Sequence, residues 1–120
     1  MLLVVDDQPA IRQLLSEALE SEGHAVVVAS NGYEAINITR QQKPELILLD
    51  LKMPGLGGLE TLREIHKYSP DIPVILITAY GELSDLGEAE RLGVRRLIIK
   101  PFDLNEVRSL VRSVLSAVAV

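Results

Sequence analysis

Apolar residues fall in two alternating rhythms along this chain. Short, nearly unbroken apolar runs lie at Leu2–Val5, Ala25–Ala29, Glu45–Leu49, Val74–Ile77 and Arg96–Ile99. Runs of this length, bounded by turn residues, read as strands buried on both faces. The segments between them carry helical spacing instead. After Pro9, which suits a first helical turn, Ile11, Leu14, Leu15, Ala18 and Leu19 recur at i, i+3, i+4, i+7 and i+8. Asp7 is placed to cap this helix and Gly23 to end it. A second helix runs from Tyr33 to Gln42, between an Asn31-Gly32 turn and the Lys43-Pro44 break. Beyond a Gly-rich loop, Gly55 to Gly58, a third aligns Leu59, Leu62, Ile65 and His66. The fourth, Leu83 to Leu92, is short and should be the weakest, because Gly87 alone costs about 1 kcal/mol relative to Ala. The fifth is capped by Asp103 and presents Leu104, Val107, Leu110, Val111, Val114 and Leu115 on one side.

Strand and helix alternate five times. That pattern predicts an α/β fold, a doubly wound (βα)5 unit whose five-stranded parallel sheet has right-handed crossovers and helices on both faces. The expected strand order is the flavodoxin-like 2-1-3-4-5, which brings the carboxyl ends of strands 1, 3, 4 and 5 together. Length sharpens this little: 120 residues suit one domain spanning 1–120, with no linker or low-complexity stretch.

Charge and composition remove several classes of function. With 48% hydrophobic and 24% charged residues the chain is globular rather than disordered. A net charge of -5 argues against direct nucleic-acid binding, which needs a basic surface. The absence of cysteine excludes disulfides and thiolate metal sites and fits a reducing compartment. No run is long and apolar enough for a membrane span, and Asp6-Asp7 stops the first one too early for a secretory signal. The expected location is the cytoplasm, without membrane contact.

The candidate chemistry sits at the strand ends. Strand 1 ends in Asp6-Asp7, strand 3 in Asp50, strand 4 in Thr78 and strand 5 in Lys100. If they converge, carboxylates crowd against one another and require a cation or protons. Oxygen donors of this kind suit Mg2+, which keeps several waters and favours phosphate-bearing partners. A carboxylate can attack phosphorus to form an acyl phosphate, with metal, ammonium and hydroxyl stabilising the phosphoryl oxygens. These are the parts for phosphoryl transfer to Asp50.

Val5-Asp6-Asp7, Leu49-Asp50-Leu51-Lys52-Met53-Pro54-Gly55, Thr78-Ala79 and Lys100-Pro101-Phe102 resemble, in order and spacing, the motifs of bacterial response-regulator receiver domains. The resemblance covers the whole chain. It implies a signalling phosphoacceptor rather than an enzyme, taking a phosphoryl group from a phosphohistidine onto Asp50 and relaying it, or a conformational signal. By the same resemblance Asp7 and Asp50 would bind Mg2+ directly, Asp6 through water, and the Lys52 backbone carbonyl would add a ligand. Lys100 would pair with the phosphoryl group or with Asp50, Thr78 would move to bond a phosphoryl oxygen, and the Lys100–Pro101 bond would be cis. The partners implied are a sensor histidine kinase and, beyond it, a histidine phosphotransferase or an output domain. Asp6-Asp7-Gln8 with Ile11-Arg12, and Thr78-Ala79-Tyr80-Gly81-Glu82-Leu83, resemble free-standing relay receivers in particular. A fragment of a longer transcriptional regulator is the alternative.

Two departures from the family pattern bear on mechanism. Leu97 stands where many receivers carry an aromatic residue, so the signal must pass through Thr78 and its loop. Gly57 replaces a common Asp near the third helix cap. A partner surface is expected from Ile11, an exposed Leu14, Pro101 and Phe102, and Tyr80 is either packing or a partner contact. His24 and His66 read as surface residues, the phosphohistidine coming from elsewhere. Val114–Val120, without charge, suits a link to another domain or a self-association surface. A haloacid-dehalogenase type of phosphatase is disfavoured because Lys52 stands where a second Asp is needed, and a nucleotide binder because no Gly-rich loop follows strand 1.

Overall fold

A computed structural model of the chain describes residues 1–118. Five parallel strands, β1 (Leu2–Val5), β2 (Val26–Ala29), β3 (Leu46–Asp50), β4 (Val74–Ala79) and β5 (Val94–Lys100), form one sheet in the order β2-β1-β3-β4-β5. Helices α1 (Pro9–Glu20), α2 (Gly32–Gln41), α3 (Gly58–Tyr68), α4 (Leu86–Arg91) and α5 (Leu104–Val118) connect and follow them. The strand order and the alternation are those the hydrophobic pattern predicts.

The sheet divides the core in two because successive side chains in a strand point to opposite faces. Leu3, Val5, Ile47, Leu49 and Leu76 pack on one side, beneath α2 and α3 residues such as Ala35, Leu62 and Ile65. Leu2, Val4, Leu46, Leu48, Ile75 and Ile77 pack on the other, against Leu15 and Leu19 of α1 and Val107, Val111 and Val114 of α5. Strand β3 is therefore buried on both faces along its whole length, Asp50 included.

Several local expectations are corrected. Asp7 does not cap α1: the N-cap position is Gln8, with no side-chain bond, and its amide is held by Asp6 Oδ1 at 2.8 Å. Asn31 is a cap rather than merely a turn residue, accepting from the Glu34 amide. Strands β4 and β5 run further than the apolar runs suggest, because ladder pairing carries through Thr78, Ala79 and Lys100, with a register shift near Val74/Ile75. Helix α4 is shorter than Leu83–Leu92; Asp85 caps it and its chain enters only after a turn at residues 79–82. Gly23, at φ +94, ends α1 with the expected pair of bonds, its own amide to Glu20 and that of His24 to Leu19. Asp103 caps α5 through the Asn105 amide at 2.6 Å. His24 and His66 are partly exposed, the first ahead of β2 and the second on α3. Within the uncharged C-terminal stretch Val114 belongs to the core; Ala119 and Val120 lie outside the described residues.

Candidate functional site

Parallel pairing sets the site. Val5 lies opposite Leu49, and Asp50 opposite Ile77, so β1 and β3 end at one level and discharge Asp6, Asp7 and Asp50 into the same space. Ligand oxygens of these three residues lie within 4.8 Å of one another. Asp6 and Asp50 are buried and Thr78 is 2% exposed, whereas Asp7 is half-exposed at the mouth. From β5, Lys100 reaches in to place Nζ 3.3 Å from Asp50 Oδ1. The Lys100–Pro101 bond is cis.

Two acids carry the electrostatic strain of this arrangement. Burial pushes the Asp50 carboxyl above its ordinary value, and the neighbouring Asp6 charge pushes it further, while Lys100 pulls it back. Burial likewise raises Asp6, opposed by the Gln8 amide bond and by Lys100. Asp6 Oδ2 is buried without a hydrogen-bond partner. An unpartnered carboxylate oxygen among other carboxylates, with only hard oxygen donors nearby, fits a small divalent cation such as Mg2+.

The remaining predicted residues fall into place unevenly. The Lys52 side chain is 82% exposed, and its Nζ stands 3.6 Å from Glu82 Oε2. The Thr78 hydroxyl donates to the Ala79 carbonyl at 3.1 Å. Tyr80 is 92% exposed, which rules out its packing alternative. Leu14 is exposed as expected, and with Ile11, Gln8, Lys100, Pro101, Phe102 and Leu104 it lines an apolar groove of about 470 Å³ beside the cluster. Two residues escaped sequence reasoning. Arg12 donates to the Asp6 carbonyl at 2.8 Å, bracing the strand end, and Glu82 accepts from the Ala79 amide at 2.9 Å. An Arg one turn into α1, and an acid just past a Gly after β4, were the signals available.

The profile of the response regulator receiver domain family matches residues 2–112. The chain belongs to this family. Sporulation initiation phosphotransferase F of Bacillus subtilis (strain 168) is 42% identical over 114 residues, covering 95% of this receiver and 92% of the relative. A probable transcriptional regulator ycf27 of Guillardia theta is 40% identical over 95% of the receiver, which spans only 44% of that longer relative. Among solved structures, the receiver domain of NtrX from Brucella abortus superposes with a TM-score of 0.88 at 33% identity, covering 97% and 98% of the two chains. The response regulator TrrA of Thermotoga maritima, solved in complex with Mg(2+)-BeF, gives 0.83 at 37% identity, covering 93% and 96%. The receiver is thus a component of two-component or phosphorelay signalling, with both free-standing and multidomain relatives. Among the described residues no helix is long and apolar enough to cross a membrane.

Proposed function

We propose that Asp50 is the phosphoacceptor of this receiver. The observation that carries the reading is the clustering of Asp50 with Asp6 and Asp7 within 4.8 Å, with the Lys100 ammonium 3.3 Å from the Asp50 carboxylate. A carboxylate oxygen of Asp50 attacks the phosphorus of a partner's phosphohistidine. The P–O bond forms as the P–N bond breaks; the imidazole keeps the electron pair and takes a proton from solvent. The product is an acyl phosphate, which can later be passed to another histidine or to water.

Asp7 and Asp50 would hold Mg2+ directly, Asp6 through water, with the Lys52 carbonyl as a further ligand. When bound, Mg2+ neutralises charge on the phosphoryl oxygens and on the acidic cluster. Lys100 supplies a second positive charge to the incoming group and orients the Asp50 carboxylate. Thr78, now turned to its own chain, has the hydroxyl to bond a phosphoryl oxygen and report its arrival. The apolar groove of Ile11, Leu14, Pro101 and Phe102, together with the exposed Tyr80 that follows β4, suits a helical histidine-bearing partner: a sensor histidine kinase, or a histidine phosphotransferase further along. The setting for such traffic is the cytoplasm.

Labelling by phosphoramidate with Mg2+ tests the assignment. The wild-type chain should acquire one acid-stable but alkali-labile phosphoryl group, and Asp50→Asn none. Undiminished labelling of Asp50→Asn would overturn it.

A further inference from the structure

One half-buried acid near the site has no part in the transfer just described. Glu82 follows a tight turn in which its amide donates to the Ala79 carbonyl at 3.1 Å, and Gly81, at φ +83, takes the left-handed position of a type II turn. The turn brings the Glu82 carboxylate back over the end of β4. Its Oε1 accepts the Ala79 amide at 2.9 Å; its Oε2 is buried without a hydrogen bond and faces Lys52 Nζ at 3.6 Å.

The direction of the Ala79 amide gives this contact meaning. In a strand, the carbonyl of one residue and the amide two residues on face the same neighbour. The Ile77 carbonyl accepts the Leu51 amide at 2.8 Å, so the Ala79 amide points to the side of Asp50 and the loop that leaves it. No strand carbonyl remains there for it, because β3 has ended. A carboxylate on a free loop fills the position instead. The Thr78 hydroxyl is tied to the same residue, since it and the Glu82 amide share the Ala79 carbonyl.

We propose that Glu82 is a positioning residue for the receiver's phosphoryl transfer: an internal anion that occupies the Ala79 amide and the Lys52 ammonium until a phosphoryl group on Asp50 displaces it. This rests on the reading of Asp50 as phosphoacceptor. The donors Glu82 engages, one backbone N–H and one ammonium at the sheet edge, are the kind a phosphoryl oxygen seeks. A phosphoryl group brings a second cluster of negative oxygens beside Glu82, and like charges at that range repel. Once Glu82 leaves, the turn at residues 79–82 loosens and the Thr78 hydroxyl is free to rotate toward Asp50. Glu82 thereby holds the unphosphorylated arrangement and opposes phosphorylation.

The test titrates the 15N-labelled full chain with beryllofluoride in excess Mg2+, for wild type, Glu82→Gln and Glu82→Ala. Gln keeps a neutral acceptor for the Ala79 amide and preserves the turn, whereas Ala removes the contact. Half-saturation by beryllofluoride should fall roughly fivefold in both variants. Without beryllofluoride, the Ala79 amide resonance should move upfield in Glu82→Ala and its hydrogen exchange should quicken. Half-saturation unchanged or raised in Glu82→Gln, or an Ala79 resonance identical in wild type and Glu82→Ala, would overturn the proposal. A wild-type chain that bound no beryllofluoride would instead sink the Asp50 assignment itself.

Discussion

Lys100 and Asp50 form an unequal pair: the carboxylate is buried, while the ammonium 3.3 Å away keeps about a third of its side chain in solvent, 32% exposed. Removing either partner therefore has opposite consequences. Lys100→Ala leaves a buried carboxylate beside Asp6 and Asp7 with its nearest counter-charge gone, and should cost about 1–2 kcal/mol without Mg2+. Asp50→Asn removes a charge whose ionised form burial and Asp6 already disfavour, and Lys100 can turn into water. It should stabilise the metal-free chain by about 1 kcal/mol. Urea unfolding in chelator measures both; equal destabilisation by the two substitutions would contradict this account.

The same raised acids give a pH dependence with a definite sign. Asp6 and Asp50 have folded-state values above the ordinary 3.8. In the window between that value and the raised ones, the folded chain binds more protons than the unfolded one. Their contribution to stability is thus fully present below the ordinary value and is lost as pH rises through the folded values. Mg2+ acts in the other direction, since it binds the ionised cluster. At ten times its dissociation constant it adds about 1.4 kcal/mol, or roughly 5 °C in melting temperature for a domain of this size. Calorimetry should show that increment near pH 7 and none well below pH 4. An Mg2+ shift independent of pH would mean the ion binds elsewhere.

Two helical glycines should respond oppositely to alanine. A Cβ on Gly58 would lie 2.7 Å from Leu51 Cα and 2.8 Å from the Asp50 carbonyl oxygen, backbone that cannot yield. The overpacking cost, about 1–3 kcal/mol, exceeds the helix-propensity gain of at most about 1 kcal/mol, so Gly58→Ala destabilises. At Gly87 the nearest atoms are side-chain tips of Arg91 and Asp85 at 3.3 and 3.4 Å. There propensity wins, and Gly87→Ala should stabilise by roughly 0.5–1 kcal/mol. Thermal melts of the two variants settle the signs.

Leu14 separates docking from chemistry. It is 46% exposed, so Leu14→Ala should cost little stability. Phosphotransfer from a histidine-bearing partner should slow about tenfold, as for loss of an anchor worth roughly 1.4 kcal/mol, while labelling by phosphoramidate stays at the wild-type rate. Equal slowing with both donors would place Leu14's effect in the site rather than in the groove.

The strands and the polar residues at their ends were legible because period and burial speak in the same place: Leu46 to Leu49 is apolar throughout, and a carboxylate that closes such a buried run stands out. Asp6, Asp50, Thr78 and Lys100 converge as parallel pairing requires. What failed was local and competitive. Asp7 is a good cap by residue type, but Asp6 reaches the Gln8 amide first. Helix α4 loses its first turn to Gly81 and the Ala79–Glu82 bond, which no helical period announces. Glu82 is one acid among many in sequence; only the missing strand beyond Asp50 makes its carboxylate matter.

Strand β3 lies mid-sheet between β1 and β4, pinned by ladder bonds on both edges and by side chains on both faces. Its end is a fixed anvil. With Asp50 as the proposed acceptor, a charge delivered there could not be absorbed by its retreat, so the recoil would pass to the pieces with room to give: the turn at Tyr80-Gly81, the short α4 behind it, and the lysine tip from β5. On that proposal, the stiffness of the acceptor would turn a local chemical event into movement somewhere a partner can feel it.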